Sequence, residues 1–122
     1  PKLYVSDSGI LGLFEPDKGK KLENTVLIEL VRRGGKVHYY KGVSADVDFV
    51  LTKENRACQL IQVCYSINDP ATYAREINSL LIAGEQLNCD NLTVITFNEN
   101  KTIKKDTKVV KVIPAWKWFL GK

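Results

Sequence analysis

The chain has no methionine, three cysteines and a single histidine among 122 residues, and each scarcity excludes something. Cys58, Cys64 and Cys89 are odd in number and lack the paired spacing of a zinc site, so neither a disulfide framework nor a structural zinc centre is expected. Free thiols in a reducing cytoplasm fit that pattern. His38 has no Cys or Asp pattern beside it and reads as a structural or exposed strand histidine rather than a catalytic one. No apolar run approaches the roughly 18 residues of a membrane-spanning helix, and no signal peptide leads the chain, so a cytoplasmic protein with no membrane contact is expected. A Gly-x-x-x-x-Gly-Lys-Ser/Thr phosphate loop is also missing, which excludes nucleotide hydrolysis within these residues. The lack of Met even at position 1 points to a piece of a longer polypeptide, although removal of an initiator Met before Pro1 gives the same start.

What is present suits one globular domain over residues 1–122. The hydrophobic share of 44% and charged share of 26% are those of an ordinary folded protein, and the length is enough for a core. The net charge of +4 permits nucleic-acid binding without requiring it. Its excess sits at Lys18, Lys20 and Lys21 and in Lys101, Lys104, Lys105, Lys108 and Lys111. A lysine cluster of this kind is more often a solvated surface than a phosphate track.

Periodicity divides the chain into alternating elements. Lys2 to Ser6 reads as a short strand stopped by Asp7-Ser8-Gly9, and Ile10 to Phe14 as a brief apolar segment. From about Lys20 to Arg33 the period becomes helical, with Val26, Leu27, Leu30 and Val31 as the stripe and Gly34-Gly35 as the stop. Glu23 falls on that same stripe, one turn from the helix start, whereas Glu29 falls outside it. Lys36 to Tyr40 reads as a strand whose tyrosine hydroxyls need partners. Asn68-Asp69-Pro70 opens a second helix with an acidic cap and an early proline. Its stripe is Tyr73, Ile77, Leu80, Leu81, Gly84 and Leu87, with Arg75 and Glu76 beside it, more often surface residues than ones that pair with neighbours or touch a ligand. Leu92 to Phe97 is apolar almost throughout, the mark of a central strand. Asn98 to Lys108 reads as a turn or irregular hairpin, Val109 to Ile113 as a last strand, and Pro114 to Leu120 as a short helix. Trp116 and Trp118 there could stack on bases, although such aromatics more often close a core or meet a partner domain.

Between the helices lies a hairpin, Asp46 to Thr52 and Ala57 to Tyr65, joined by Lys53-Glu54-Asn55-Arg56. A strict period of two puts Asp46, Asp48 and Val50 on one face and Val47, Phe49 and Leu51 on the other. On the second strand it groups Cys58, Leu60, Gln62 and Cys64. Asp48 and Gln62 thus occupy faces that a buried sheet fills with Val or Ile, at a cost of roughly 1–3 kcal/mol each unless they are satisfied. The expected architecture is α/β, a mixed central sheet flanked by helices. If Glu23, Asp48 and Gln62 converge, two carboxylates and a carbonyl oxygen suit Mg²⁺ or Mn²⁺, because hard cations choose oxygen.

Several segments in order then resemble one family: Lys2 to Gly9, Gly19 to Leu30, Asp46 to Leu51, Ile61 to Tyr65, Arg75-Glu76-Ile77 with Leu80, and Ile113 to Leu120. Together they resemble the C-terminal domain of unknown function found in prokaryotic ATPases of the AAA superfamily, whose fold is similar to that of PD-(D/E)XK nucleases. The resemblance implies a restriction-endonuclease-like αβββαβ core and an ATPase domain upstream. It carries the nuclease acids onto Glu23 and Asp48, and the (D/E)XK tripeptide onto Gln62-Val63-Cys64. There the chain departs from the nuclease pattern, with Gln62 in place of the acid and Cys64 in place of the lysine. A neutral Gln62 weakens Mg²⁺ or Mn²⁺ binding, and a thiol cannot stabilise developing phosphate charge as an ammonium does. The expectation is a nuclease-like accessory domain with a degenerate site that binds nucleic acid or a partner protein. The alternative is a metal-dependent DNA endonuclease using Glu23 and Asp48.

Overall fold

The computed structural model describes residues 18–121; the strand read at Lys2 to Ser6 and the segment Ile10 to Phe14 lie outside them. The elements run α1 (Lys18–Arg32), β1 (Lys36–Lys41), β2 (Asp46–Lys53), β3 (Arg56–Val63), α2 (Pro70–Leu87), β4 (Leu92–Thr96), β5 (Lys101–Lys105), β6 (Lys108–Pro114) and α3 (Ala115–Phe119). The strands form one sheet in the order β1-β2-β3-β4-β6-β5. The pairs β1–β2, β2–β3 and β5–β6 are antiparallel, while β3–β4 and β4–β6 are parallel. The mixed sheet flanked by helices is therefore present.

Alternation along the central strands feeds two cores, one on each side of the sheet. Val47, Val50, Leu60, Leu92, Val94, Val110 and Val112 pack with Ile77, Leu80 and Ala83 of α2. Phe49, Ile61, Val63 and Ile95 pack on the other side with Val26 and Leu30 of α1 and Ala115 and Trp118 of α3. Every residue of β4 is buried, which accounts for its unbroken apolar run. Helix α2 is stopped at both ends: Asp69 accepts from the Thr72 N–H at 3.0 Å, and Asn88 closes the C-terminus in the left-handed region. Gly84 stands in the last turn of α2, where a Cβ would meet the Cys89 carbonyl oxygen at 2.8 Å. The β2–β3 turn has φ of 55° at Glu54 and 64° at Asn55, the two left-handed residues of a tight hairpin.

Three expectations need correction. The strict alternation in β2 fails, because His38 pairs with Val50 while Tyr40 pairs with Val47, leaving one extra β2 residue between them. That bulge puts Val47 and Val50 in the α2-side core and Phe49 in the other. The α1 stripe is narrower than read: Val26 and Leu30 are buried, but Leu27 is 37% and Val31 61% exposed. Third, the segment from Asn98 is a regular hairpin, with β5 along the sheet edge. Its lysines cover that edge, where charge discourages pairing with another chain. Lys108 is tied at 3.0 Å to both Glu85 and Asp90.

Candidate functional site

An open cleft of about 620 Å³ lies where the start of β2 and the end of β3 draw apart. Its walls come from four places: Glu23 on α1, the β1–β2 loop from Lys41 to Ala45, Asp46, Asp48, Gln62 and Val63 on the hairpin, and Arg75, Glu76 and Ser79 on α2. A second groove, between α1 and β1, is also lined by Glu23 and Asp48. The acids of the first helix and of the hairpin thus meet one space.

The floor of the cleft is a clasp between β2 and β3. Regular pairing of the two strands runs as far as Phe49 opposite Ile61. Beyond it the side chains take over the ladder. The Val63 N–H donates to Asp48 Oδ2 at 2.8 Å, the Asp48 N–H donates to Gln62 Oε1 at 2.9 Å, and Gln62 Nε2 donates to the Asp46 carbonyl at 3.0 Å. Each bond satisfies a backbone group that the drawn-apart strands would leave unpaired. Gln62 is 3% exposed, so its amide is committed to the fold. Cys64 does not line the cleft. Its thiol donates to the Ser66 carbonyl at 3.0 Å on the α2 side, and burial pushes its pKa up, away from a reactive thiolate.

The carboxylates act on one another. Burial pushes the Asp48 carboxyl above its usual range; the Val63 N–H and the Lys20 ammonium draw it back, and Asp46 adds to the rise. Glu76 is also raised, first by burial and then by the Asp48 charge, against Arg75, with Glu23 adding further. Arg75 pairs with Glu76 at 3.3 Å, and Lys20 with Glu23 at 4.0 Å. The Glu23 side chain keeps 31% of its surface exposed, so it borders the core without entering it.

Glu76 was read as a surface residue, yet its side chain is only 15% exposed and faces the cleft. The signal was available: Tyr73, Glu76, Ile77 and Leu80 follow at i, i+3, i+4 and i+7, so Glu76 shares the apolar stripe. Among the described residues, no three His, Cys, Asp or Glu side chains gather closely enough to hold a metal ion. Gln62 already accepts one backbone bond. His38 is exposed on β1 and shares a 3.1 Å hydrogen bond with Thr52.

Residues 18–118 match the family described as "Domain of unknown function (DUF4143)". The chain belongs to the DUF4143 family. It is 38% identical to the uncharacterized protein MJ1544 of Methanocaldococcus jannaschii over 132 aligned positions. That alignment covers 98% of this chain and 29% of the archaeal protein, so the DUF4143 chain spans under a third of its relative's length. No solved structure matches it. Among the described residues, no helix is long and apolar enough to cross a membrane.

Proposed function

We propose that this DUF4143 domain is a binding module on a nuclease-like scaffold, an accessory to an ATPase carried by the same longer cytoplasmic polypeptide, and that its cleft does not cleave. The carrying observation is the fate of the two positions aligned with the nuclease tripeptide. Gln62 spends both ends of its amide on the backbone of β2, and the Cys64 thiol is taken up by the Ser66 carbonyl. Neither is available to hold a metal or to position a nucleophile. The acids that remain, Glu23, Asp48 and Glu76, are balanced in part by Lys20 and Arg75, as in a charged recognition surface. The partner recognised is nucleic acid or another protein.

Incubation of the purified chain with supercoiled and single-stranded DNA in Mg²⁺ and in Mn²⁺ tests the reading. No cleavage above buffer is expected. Cleavage by the parent that disappears in both Glu23→Ala and Asp48→Ala would overturn it and make the domain a metal-dependent nuclease.

A further inference from the structure

The parallel strands β3, β4 and β6 are neighbours, and each runs off its carboxyl end into an aromatic residue: Tyr65, Phe97 and Trp116. Tyr65 and Phe97 stack with ring centroids 4.9 Å apart and planes 15° from parallel. Phe97 is 55% and Trp116 57% exposed, large values for rings of this size. The Trp116 indole N–H donates to Oδ1 of Asn98, the residue after Phe97, at 3.4 Å. Lysines stand on the same edge. Lys18 Nζ lies 5.3 Å from the Tyr65 ring centre, and Lys18 and Lys21 of α1 line a groove of about 290 Å³ with Tyr65 and Phe97.

The backbone beneath these rings is held from several sides. The Phe97 N–H donates to the Tyr65 carbonyl at 3.1 Å. Glu99 accepts from Ser66 Oγ at 2.9 Å and from the Ile67 N–H at 2.8 Å, and its own N–H donates to Thr96 Oγ1 at 2.8 Å. The Glu99 carboxylate is thus tied to the backbone beneath the rings, and Lys18 and Lys21 line the groove. Trp118, two residues on, shows the contrast, being 8% exposed with the Arg33 guanidinium 4.4 Å from its ring centre.

From this arrangement we propose that the carboxyl edge of the parallel strands is a stacking platform for single-stranded nucleic acid. Bases lie on Phe97 and Trp116, and phosphates are held by Lys18 and Lys21. Every base has a π-face but only an unpaired strand offers it, and two ammonium groups beside exposed rings match the alternation of phosphate and base. The proposal deepens the reading of a non-cleaving binding module and rests on it.

The test is anisotropy of a labelled oligothymidylate of about a dozen nucleotides, long enough for one such site, titrated with the purified chain at low salt. Binding is expected, with a blunt duplex of the same length binding more weakly. Phe97→Ala and Trp116→Ala should each weaken binding by about tenfold. Lys18→Gln with Lys21→Gln should reduce the slope of log affinity against log salt by about 1.4. Phe97→Leu, which keeps an apolar surface but loses the flat ring, should behave as Phe97→Ala does, and thermal melts confirm that each variant is folded. No binding by the parent, or aromatic variants that bind as the parent does, overturns the platform. Loss confined to the lysine variants does so as well, reducing the interaction to general attraction of a polyanion. Cleavage is scored separately, so an absent platform leaves the non-cleaving reading standing, and cleavage that ignores these residues overturns that reading alone.

Discussion

Gln62 and Tyr65 stand three residues apart at the end of one strand, and they do opposite work. Gln62 lies where β2 and β3 draw apart, and its amide replaces the ladder bonds the backbone no longer makes. Tyr65 lies where the backbone is already paired, with its carbonyl bonded to the Phe97 N–H, and its ring supports another ring that faces outward. A polar side chain above a broken ladder is consumed by the fold. An aromatic side chain above an intact ladder is left over, and what is left over is available to a partner.

Truncations separate the two kinds of site, and the largest effect is expected from an aromatic residue that the fold does use. Trp118→Ala should cost about 3–4 kcal/mol, because a buried indole packed in the α1-side core leaves a cavity. Thermal unfolding should then begin more than about 10 °C lower. Gln62→Ala should come next, at roughly 2–3 kcal/mol, since it strands the Asp48 N–H and the Asp46 carbonyl at the floor of the cleft. A melting temperature unchanged in Gln62→Ala would show that the clasp is not structural, and would return that side chain to the pool of ligands.

The acids give a smaller effect whose sign depends on pH. Asp48 and Glu76 have folded pKa values above their unfolded ones, so over that interval the folded chain holds more protons. Stability from these groups therefore falls as pH rises through the interval from the ordinary carboxylate range to the raised values. Glu29 acts in the opposite direction. Hydrogen bonds from Arg32 and Arg33 hold its pKa at about 2 against an ordinary 4.5, so its contribution is present above 4.5 and is lost as pH falls towards 2. A melting temperature that peaks in mild acid is expected. The pair Asp48→Asn and Glu76→Gln should flatten the decline towards neutral pH while leaving the acid limb in place. Asp48→Asn alone should move the melting temperature by only a few degrees, because the amide oxygen can still accept from the Val63 N–H. The smallest effect should come from Phe97→Ala and Trp116→Ala, each within about 0.5 kcal/mol of the parent, as expected at exposed positions.

Much of the architecture was legible in the chain because local chemistry set it. Asp69 and Pro70 marked the start of α2, the apolar run from Leu92 marked a central strand, and the polar turn at Glu54-Asn55 marked the hairpin. The meeting of Glu23 with Asp48 at one cleft was suggested by the order of the elements and by the resemblance, and not by periodicity, since residues on α1 and β2 carry no local sign of each other. Glu76 was legible and overlooked: a charge on an apolar stripe looks like a surface residue until a second acid is known to lie opposite. The bulge at Asp48 was not legible. An extra residue in one strand is defined only against its partner, and the pairing that reveals it joins β2 to β1.

Alternation, caps and turn residues were enough to settle most of the helices and strands, β5 excepted, because those preferences act within a few neighbouring residues. Where the strands part, whether an amide completes a ladder or meets a ligand, and which of two tryptophans two residues apart is buried were decided by the folded chain alone. Those outcomes depend on what lies across the sheet, and residues far apart in sequence have no means of signalling it until they touch.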